Sequence, residues 1–199
     1  MTDRWLIAGL GNPGPQYAGH RHNAGFMVAE VLAARMGVTL RRDRSGAAVA
    51  TGLLAGVPVT LARPLTFMNL SGRPVAALRA FYKIPPERVL ILHDELDLPF
   101  GQVRAKFGGG EGGHNGLRSM SQSLGTKDYA RTRFGIGRPP GRQDPADFVL
   151  SDFSSVQRKE LDFLIDRAAD IAEAIMTNGV EWAQNQFHAP SGSAPSDPS

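Results

Sequence analysis

The chain has 199 residues, 42% of them hydrophobic, which suits one compact domain with a substantial core. It contains no cysteine, so a disulfide scaffold, a thiolate zinc site and a catalytic cysteine are excluded. The apolar run Trp5–Leu10 is too short for a signal-peptide core or a membrane span, which predicts a cytoplasmic protein that does not associate with membranes.

The net charge of +3 is distributed unevenly along the chain. The segment Leu98–Pro145 has eight basic and three acidic residues, so it carries +5 while the rest of the chain carries −2. A phosphate-bearing partner requires a basic surface of this kind, although an ordinary solvated face can have the same composition. The eight basic residues are Arg104, Lys106, Arg118, Lys127, Arg131, Arg133, Arg138 and Arg142.

The first half of the chain alternates short apolar runs with helical patterns. Apolar runs that end at glycine predict buried strands, and Gly37 is a helix stop after Met36. Two further runs on either side of Ala55-Gly56 predict a hairpin. The predicted elements are strand Arg4–Leu10, helix Asn23–Met36, hairpin strands Val49–Leu54 and Val57–Arg63, and helix Pro74–Lys83.

The second half continues the alternation and ends in two helices. Ser154 and Gln157 have the spacing of a capping box at the start of the longest helix. The last helix is expected to pack by Trp182 or Phe187. The tail Ala189–Ser199 has almost no apolar residues and is expected to be disordered. The predicted elements are strand Val89–His93, helix Asn115–Leu124, strand Ala130–Ile136, and helices Ser155–Asn178 and Val180–Phe187.

This order of elements predicts an α/β fold. Strands that alternate with helices form a sheet covered by helices on both faces. We therefore expect a single-domain, three-layer αβα sandwich with a mixed, mostly parallel twisted sheet over residues 1–188, followed by the tail 189–199. In such sheets, functional sites gather at the carboxyl ends of the strands, where Asn12 and Asp94 are located.

Gly9–Gly14 reads GLGNPG and follows a predicted strand, so it matches the dinucleotide-binding pattern G-x-G-x-x-G. Its context disfavours a nicotinamide site, because Pro13 interrupts the motif and no helix begins at the third glycine. The acid about twenty residues further on, Glu30, lies inside a predicted helix and not at the end of a second strand. A tight turn that presents the Asn12 side chain is the better interpretation.

Gly108–Gly116 reads GGGEGGHNG and opens the predicted helix Asn115–Leu124. No Gly-Lys-Ser/Thr sequence follows, which disfavours nucleotide hydrolysis. The many glycines indicate either a mobile loop that closes over a substrate or a flexible surface loop. The sequence alone does not separate these two alternatives.

The candidates for catalysis are histidines and carboxylates. The chain has neither the G-x-S-x-G motif of serine hydrolases nor the H-E-x-x-H motif of zinc proteases. A histidine supported by a carboxylate is a general base that can activate water. The same side chains could bind a metal, and any one histidine taken alone is more often structural. The histidines are His20, His22, His93, His114 and His188.

Four motifs in this order resemble those of the bacterial-type peptidyl-tRNA hydrolases. They are GLGNPGPQYAGHRHNAG (Gly9–Gly25), PLTFMNLSG (Pro64–Gly72), HDELDLPFGQVRAKFGGGEGGHNGL (His93–Leu117) and RTRFGIGRP (Arg131–Pro139). The similarity extends from about Leu6 to His188. It implies an enzyme that hydrolyses the ester bond between a peptide and the 3′-terminal ribose of tRNA, without metal or cofactor, as a cytoplasmic monomer.

The resemblance also implies roles for individual residues. His22 corresponds to the base that activates water, and Asp94 holds it in its basic form. Asn12 lies beside the site and helps to select peptidyl over free aminoacyl substrates. The remaining residues correspond to substrate-binding positions: Tyr17 at the tRNA end, Phe67, Asn69 and Asn115 on the substrate, Met68 in the cleft wall, and Lys106 and Arg133 on the tRNA phosphates.

Two residues depart from the family pattern, and two other functions stay open. His20 is a second histidine beside His22, and Glu111 adds an acid to the glycine-rich loop. One alternative function is a metal-dependent hydrolase that uses His93, Asp94, Asp97 and His114. The other is a non-catalytic tRNA-binding module with the same basic surface.

Overall fold

A mixed seven-stranded sheet forms the middle of the fold in residues 3–188, the part of the chain that the computed structural model describes. Its strands are β1 (Trp5–Gly9), β2 (Arg41–Arg42), β3 (Ala47–Leu54), β4 (Val57–Pro64), β5 (Val89–Glu95), β6 (Val103–Phe107) and β7 (Ala130–Gly135). Their order across the sheet is β2-β3-β4-β1-β5-β7-β6. The four adjacent strands β4, β1, β5 and β7 run parallel, and β3 and β6 run antiparallel to their neighbours.

Helices cover both faces of this sheet. They are α1 (Ala24–Met36), α2 (Gly72–Tyr82), α3 (Asn115–Leu124), α4 (Pro145–Val149), α5 (Ser155–Asn178) and α6 (Val180–Phe187). One core contains buried residues of α1, α4, α5 and α6, and a second core on the other face contains those of α2 and α3. The predicted single-domain αβα sandwich with a mixed sheet is therefore confirmed.

The central strand β5 shows why these sequences form buried strands. Leu90 and Leu92 face the first core, and Val89 and Ile91 face the second. A strand covered on both faces needs apolar side chains at every position, so it appears in the sequence as a continuous apolar run.

Most helix boundaries follow the capping residues in the sequence. The Ser154 hydroxyl accepts a hydrogen bond from the Gln157 backbone N–H at 3.1 Å, and the Gln157 side chain accepts from the Ser154 N–H at 3.0 Å. This capping box starts α5 at the predicted residue. Helix α6 packs by Phe187 against the core, whereas Trp182 is 43% exposed.

Among the strands and α-helices of the described residues, β2, β6 and α4 are absent from the sequence-based prediction. In addition, α2 begins at Gly72, two residues before the predicted Pro74. Strand β6 is a five-residue edge strand in which Arg104 and Lys106 alternate with apolar residues, so it lacks the continuous apolar run by which the other strands were predicted. Helix α4 was missed because it has five residues and buries only Phe148.

The outer edge of β6 is covered by side chains at the end of the described chain. The Gln184 side-chain amide donates a hydrogen bond to the Ala105 carbonyl at 3.1 Å, and the Ala105 N–H donates to Nε2 of His188 at 2.8 Å. Backbone groups in the middle of this edge strand therefore have partners from the same chain.

In residues 3–188 no helix has the length and apolar character needed to cross a membrane. The predicted disordered tail, residues 189–199, lies outside the described residues. The boundary at residue 188 between domain and tail therefore stays a prediction.

Candidate active site

The three predicted catalytic residues, His22, Asp94 and Asn12, meet at the carboxyl ends of β1 and β5. Asn12 follows the end of β1, and Asp94 lies near the end of β5, which pairs with β1 in parallel. A short 3-10 turn, Arg21–Asn23, precedes α1 and carries His22 to the same edge. A side chain at Gly25 would collide with the Leu92 carbonyl, so only glycine lets the start of α1 approach β5 closely enough to bring His22 beside Asp94.

Asp94 binds two imidazoles through its two carboxylate oxygens. Its Oδ2 lies 2.9 Å from Nδ1 of His22, and its Oδ1 lies 2.9 Å from Nε2 of His114. The ring centroids of these histidines are 4.9 Å apart. His22 and Asp94 are 8% and 2% exposed, so the pair is largely removed from water.

The hydrogen bonds around His114 determine where the protons lie. Its Nδ1 caps α3 by accepting hydrogen bonds from the backbone N–H groups of Gly116 and Leu117 at 3.1 and 3.2 Å. Its Nε2 must then carry the proton that is donated to Asp94. The Asp94 carboxylate likewise accepts the Nδ1 proton of His22, which leaves Nε2 of His22 as an unprotonated nitrogen that can act as a base.

The pKa values of this pair are shifted in opposite directions. Burial lowers the pKa of His22, but the charge of Asp94 and its hydrogen bond outweigh this effect and raise the pKa above its usual value. Burial raises the pKa of Asp94, but the two histidines and their hydrogen bonds hold it well below its usual range. Asp94 is therefore a carboxylate at neutral pH.

His93 does not join this cluster as a base or ligand. It is 1% exposed, and its Nδ1 lies 2.8 Å from the backbone carbonyl of Asp94. Burial and the neighbouring His114 lower the pKa of His93 to about 3, so the ring is neutral. Its ring centroid lies 5.3 Å from that of His114, so His93 supports His114 by packing.

Of the four residues of the metal-dependent alternative, Asp94 and His114 are in contact, but His93 and Asp97 do not join them as ligands. His93 is turned to a backbone carbonyl, and Asp97 pairs with Arg138 at 2.7 Å. Among residues 3–188, the group close enough to share a metal ion is His22, Asp94 and His114, whose ligand atoms lie within 4.8 Å of one another. Those atoms already form the two histidine–carboxylate hydrogen bonds, and the Nε2 of His114 that would bind a metal is protonated.

Two cavities adjoin His22 and form the cleft. The amide cavity, of about 280 Å³, is lined by Asn12, Phe67, Met68, Asn69 and Leu150. The acid cavity, of about 140 Å³, is lined by Asp94, Glu95, Leu96, Gly112, Gly113, His114 and Pro145. Both are also lined by His22, Asn115, Ala146 and Val149. The predicted residues Asn12, Phe67, Met68, Asn69 and Asn115 therefore surround the candidate base.

Asn12 is held rigidly in the amide cavity. Its side-chain Oδ1 accepts the Met68 backbone N–H at 2.8 Å. The Asn23 side chain bonds to the backbone N–H and the backbone carbonyl of Asn12, both at 2.9 Å. The amide NH₂ of Asn12 is therefore the part of the side chain left to meet a substrate. Asn23, which is 2% exposed, was missed by the sequence analysis.

The three other predicted binding residues lie outside both cavities. Tyr17 packs edge-on against His20, with ring centroids 5.5 Å apart. Arg133 on β7 donates through Nε to Glu95 at 3.0 Å, and Glu95 lines the acid cavity. Lys106 on β6 lies against Gly109 of the glycine-rich loop. The two basic residues therefore lie on the strands beyond the acid cavity.

The glycine-rich loop is tied to the body of the domain. The buried Arg131 guanidinium donates to the Gly110 carbonyl at 2.6 Å and to the Gly109 carbonyl at 2.8 Å. Glu111, one of the two departures from the family pattern, pairs with Lys127 at 3.3 Å. Its charge is thus compensated inside the protein. The loop holds His114 and Asn115 at the cleft.

Helix α4 supplies cleft residues that the sequence analysis did not identify, namely Ala146 and Val149. A start signal for it exists in the sequence, because Asp144 followed by Pro145 is a typical helix N-terminus. The Asp144 side chain accepts the Ala146 N–H at 2.9 Å in that role.

Comparison with known proteins places the chain in one family. Residues 6–195 match the sequence pattern of the family described as peptidyl-tRNA hydrolase. The peptidyl-tRNA hydrolase of Frankia casuarinae is 63% identical over 185 residues, which cover 93% of this chain and 94% of that protein. That of Mycolicibacterium smegmatis is 54% identical over 190 residues, covering 95% and 100%. The crystal structure of the Acinetobacter baumannii peptidyl-tRNA hydrolase superposes with a TM-score of 0.88 at 41% identity, covering 95% and 96%. The chain therefore belongs to the peptidyl-tRNA hydrolase family.

Proposed function

We propose that this chain hydrolyses the ester bond between a peptide and the 3′-terminal ribose of tRNA, releasing free tRNA and free peptide from peptidyl-tRNA that has left the ribosome. The observation that carries the proposal is the buried His22–Asp94 pair at the centre of a cleft lined by Asn12, Asn69 and Asn115. The family membership supports the choice of substrate.

In the proposed reaction, Nε2 of His22 takes a proton from a water molecule. The water oxygen attacks the ester carbonyl and forms a tetrahedral intermediate. Its C–O bond to the ribose then breaks, and His22 returns the proton to the ribose oxygen. A ribose hydroxyl is a better leaving group than an amine, so one general base is sufficient without a nucleophilic serine.

Asp94 orients His22 and favours its protonated form as the proton is transferred. Because Asp94 accepts a hydrogen bond from each histidine, both rings are held in a single tautomer. His114 is therefore a positioning residue that shares the carboxylate with the base.

The asparagines supply neutral hydrogen-bond groups along the cleft. The amide NH₂ of Asn12, with its oxygen occupied by Met68, is a donor toward the peptide or toward the negative charge that develops on the carbonyl oxygen. Asn69 and Asn115 are exposed in the same cavity. Neutral amides also avoid repulsion with a ligand rich in phosphates.

Lys106 and Arg133 are proposed to contact tRNA phosphates, and the predicted contact of Tyr17 with the tRNA end remains part of the proposal. Phe67 is 60% exposed beside the amide cavity, where an aromatic ring can stack on a terminal base. We also propose that the protein acts in the cytoplasm as a monomer.

The decisive experiment is multiple-turnover release of labelled peptide from peptidyl-tRNA by the purified protein. Release of many equivalents of peptide per protein is expected. Binding of tRNA with no release beyond one equivalent would instead support the non-catalytic tRNA-binding module.

A further inference from the structure

Helix α4 forms a wall of the cleft but has little that stabilises it on its own. Its residues Ala146 and Val149 line both the amide cavity and the acid cavity. A helix of five residues is far below the length that is stable in water without tertiary contacts. Phe148 is the residue of α4 that is buried in the core. The position of this wall therefore depends on what holds Phe148 and the residues after it.

Arg21 makes the contacts that hold this segment. Its backbone N–H donates to the Ser151 carbonyl at 3.0 Å, and its Nη1 donates to the Ser151 hydroxyl at 2.6 Å. Its Nη2 donates to the side-chain oxygen of Gln157 at 3.2 Å. The guanidinium carbon lies 4.1 Å from the centre of the Phe148 ring, which is stacking distance.

The Arg21 guanidinium makes no direct ion pair among the described residues: burial lowers its pKa, and the charge of Asp152 offsets this effect only in part. Arg21 is 7% exposed, and its Nε is buried with no hydrogen-bond partner among them. No carboxylate in residues 3–188 lies within 4.0 Å of its guanidinium. Burying a guanidinium without a carboxylate in direct contact is unfavourable, and an apolar side chain of similar size fits such a place at lower cost. Stability alone therefore does not account for an arginine here.

The planar guanidinium explains why an arginine is found at position 21, because it can donate hydrogen bonds in several directions at once. It reaches Ser151, just after α4, and Gln157, in the capping box of α5, while its face covers Phe148. Arg21 also precedes His22 in the same 3-10 turn. The base and the wall of the cleft are thus attached to one rigid turn.

We propose that Arg21 is a positioning residue that holds α4 over the cleft and thereby keeps the substrate cavities in their binding form. This inference rests on the proposed function for its kinetic consequences. Arg21 lies outside the two cavities and acts through Phe148, Ser151 and Gln157.

If Arg21 is lost, α4 is in place for only part of the time. The apparent affinity for substrate then falls by the fraction of molecules in the competent form. We expect Arg21→Met to raise KM about tenfold, in line with the loss of hydrogen bonds from a charged group, while kcat changes by less than about threefold. The pH at which activity rises should not change, because His22 and Asp94 keep their contact.

Arg35→Met is the matched control. Arg35 also links two parts of the same side of the sheet, because it joins α1 to Asp166, Asp170 and Glu173 of α5. It touches neither cavity. Loss of Arg35 should lower the thermal stability without changing KM, and this separates a positioning role from a general contribution to stability.

The test measures kcat and KM for peptidyl-tRNA together with hydrogen exchange of the backbone amides of residues 146–151. Arg21→Met should speed exchange in this segment and raise KM, whereas Arg35→Met should do neither. Ser151→Ala removes one Arg21 contact and is expected to give a smaller change in the same direction, so it decides the question if Arg21→Met does not fold.

Unchanged exchange at residues 146–151 in Arg21→Met, or in Ser151→Ala if the first variant is unfolded, would overturn the proposal. An equal rise in KM in Arg35→Met would overturn it as well. If the wild-type protein released no peptide, the proposed function would be wrong, but the exchange measurement would still decide whether Arg21 holds α4.

Discussion

The side-chain oxygen of Asn12 accepts a hydrogen bond from the Met68 backbone N–H, with 2.8 Å between the two atoms. This bond decides which end of the amide faces the cleft, because the occupied oxygen leaves the NH₂ group as the free donor. Asn23 holds the Asn12 backbone from the opposite side through two further hydrogen bonds. The donor is thus set in place before a substrate arrives, as electrostatic stabilisation of a reaction requires.

Asn12→Asp tests the side-chain NH₂ of Asn12 separately from the hydrogen bond between its side-chain oxygen and the Met68 N–H. The aspartate can still accept the Met68 N–H, so the thermal unfolding temperature should stay close to that of the wild type. It offers no donor and adds a negative charge, so kcat/KM should fall by about 10²-fold or more. Asn12→Ala loses the Met68 bond too and should also unfold at a lower temperature. Wild-type kcat/KM in Asn12→Asp would show that the NH₂ group is not used.

His22→Ala should abolish turnover, because it removes the proposed general base. A loss above about 10²-fold is expected, with the affinity for tRNA nearly unchanged. His20→Ala is the neighbouring control: His20 lies 3.9 Å from Asp152 and outside both cavities, so its loss should leave activity near the wild-type value. An inactive His20 variant beside an active His22 variant would reverse the assignment.

Asp94→Asn should change both the rate and its pH dependence. His22 is active as a base when neutral, so wild-type activity should rise with pH through its pKa, which Asp94 holds above the usual value. Asparagine removes the charge that raises this pKa, while burial, which lowers it, remains. The rising limb should therefore move to lower pH.

The maximal rate of Asp94→Asn should also fall, by about tenfold or more but by less than in His22→Ala. The asparagine oxygen can accept from only one of the two imidazoles, so the other loses its tautomer restraint. Rates measured from pH 5 to 9 test both points. A wild-type activity that is flat across this range would be incompatible with a histidine base.

Lys106→Ala and Arg133→Ala should weaken tRNA binding without slowing the chemical step. Each lost phosphate contact is expected to lower the slope of log affinity against log salt by roughly 0.7 to 0.9. Removing Arg133 also leaves Glu95 without its partner at the edge of the acid cavity, so its effect should exceed that of Lys106 at low salt.

A peptide ester of the terminal nucleotide is the control substrate for these two variants. It has few phosphates to contact, so the wild type and both variants should cleave it at similar rates. An equal loss of activity on the fragment and on whole tRNA would place Lys106 and Arg133 in the catalytic centre or in the fold, and the RNA-binding surface elsewhere.

Chelation distinguishes the proposed mechanism from a metal-dependent one. Prolonged treatment with EDTA should leave the turnover rate unchanged, because Asp94 is occupied by the two histidine N–H groups and Nε2 of His114 is protonated. A loss of activity in EDTA that is restored by added Zn²⁺ would instead support a metal ion bound by His22, Asp94 and His114.

The elements predicted from the sequence are those with a strong local pattern. Strand β5 and helix α5 were predicted because a continuous apolar run and a capping box are visible without tertiary information. Strand β6 and helix α4 have five residues each, so their local signals are short, and they depend on pairing with β7 and on contacts with the turn that contains Arg21.

The site could be predicted as far as its motifs extend. The resemblance named His22, Asp94, Asn12, Asn69 and Asn115, and the structure brings them into one cleft. The metal-dependent alternative grouped His114 with Asp94, but the hydrogen bond between them was not predicted, because His114 reaches Asp94 across twenty residues and a glycine-rich loop whose path depends on tertiary contacts. Its capping of α3 likewise appears only in three dimensions.

The hydrogen bonds from Gln184 and His188 to Ala105 affect how the sheet can meet other molecules. A strand edge with free backbone groups is a template on which another chain can add a strand. In the middle of β6, the backbone N–H and carbonyl of Ala105 already have hydrogen-bond partners. At the opposite edge of the sheet, β2 consists of two exposed arginines. A strand from another chain could add to β6 only after displacing the side chains of Gln184 and His188, so in the described residues this edge is protected by the protein's own last residues, whereas β2 pairs with only Ala48 and Val49 of β3.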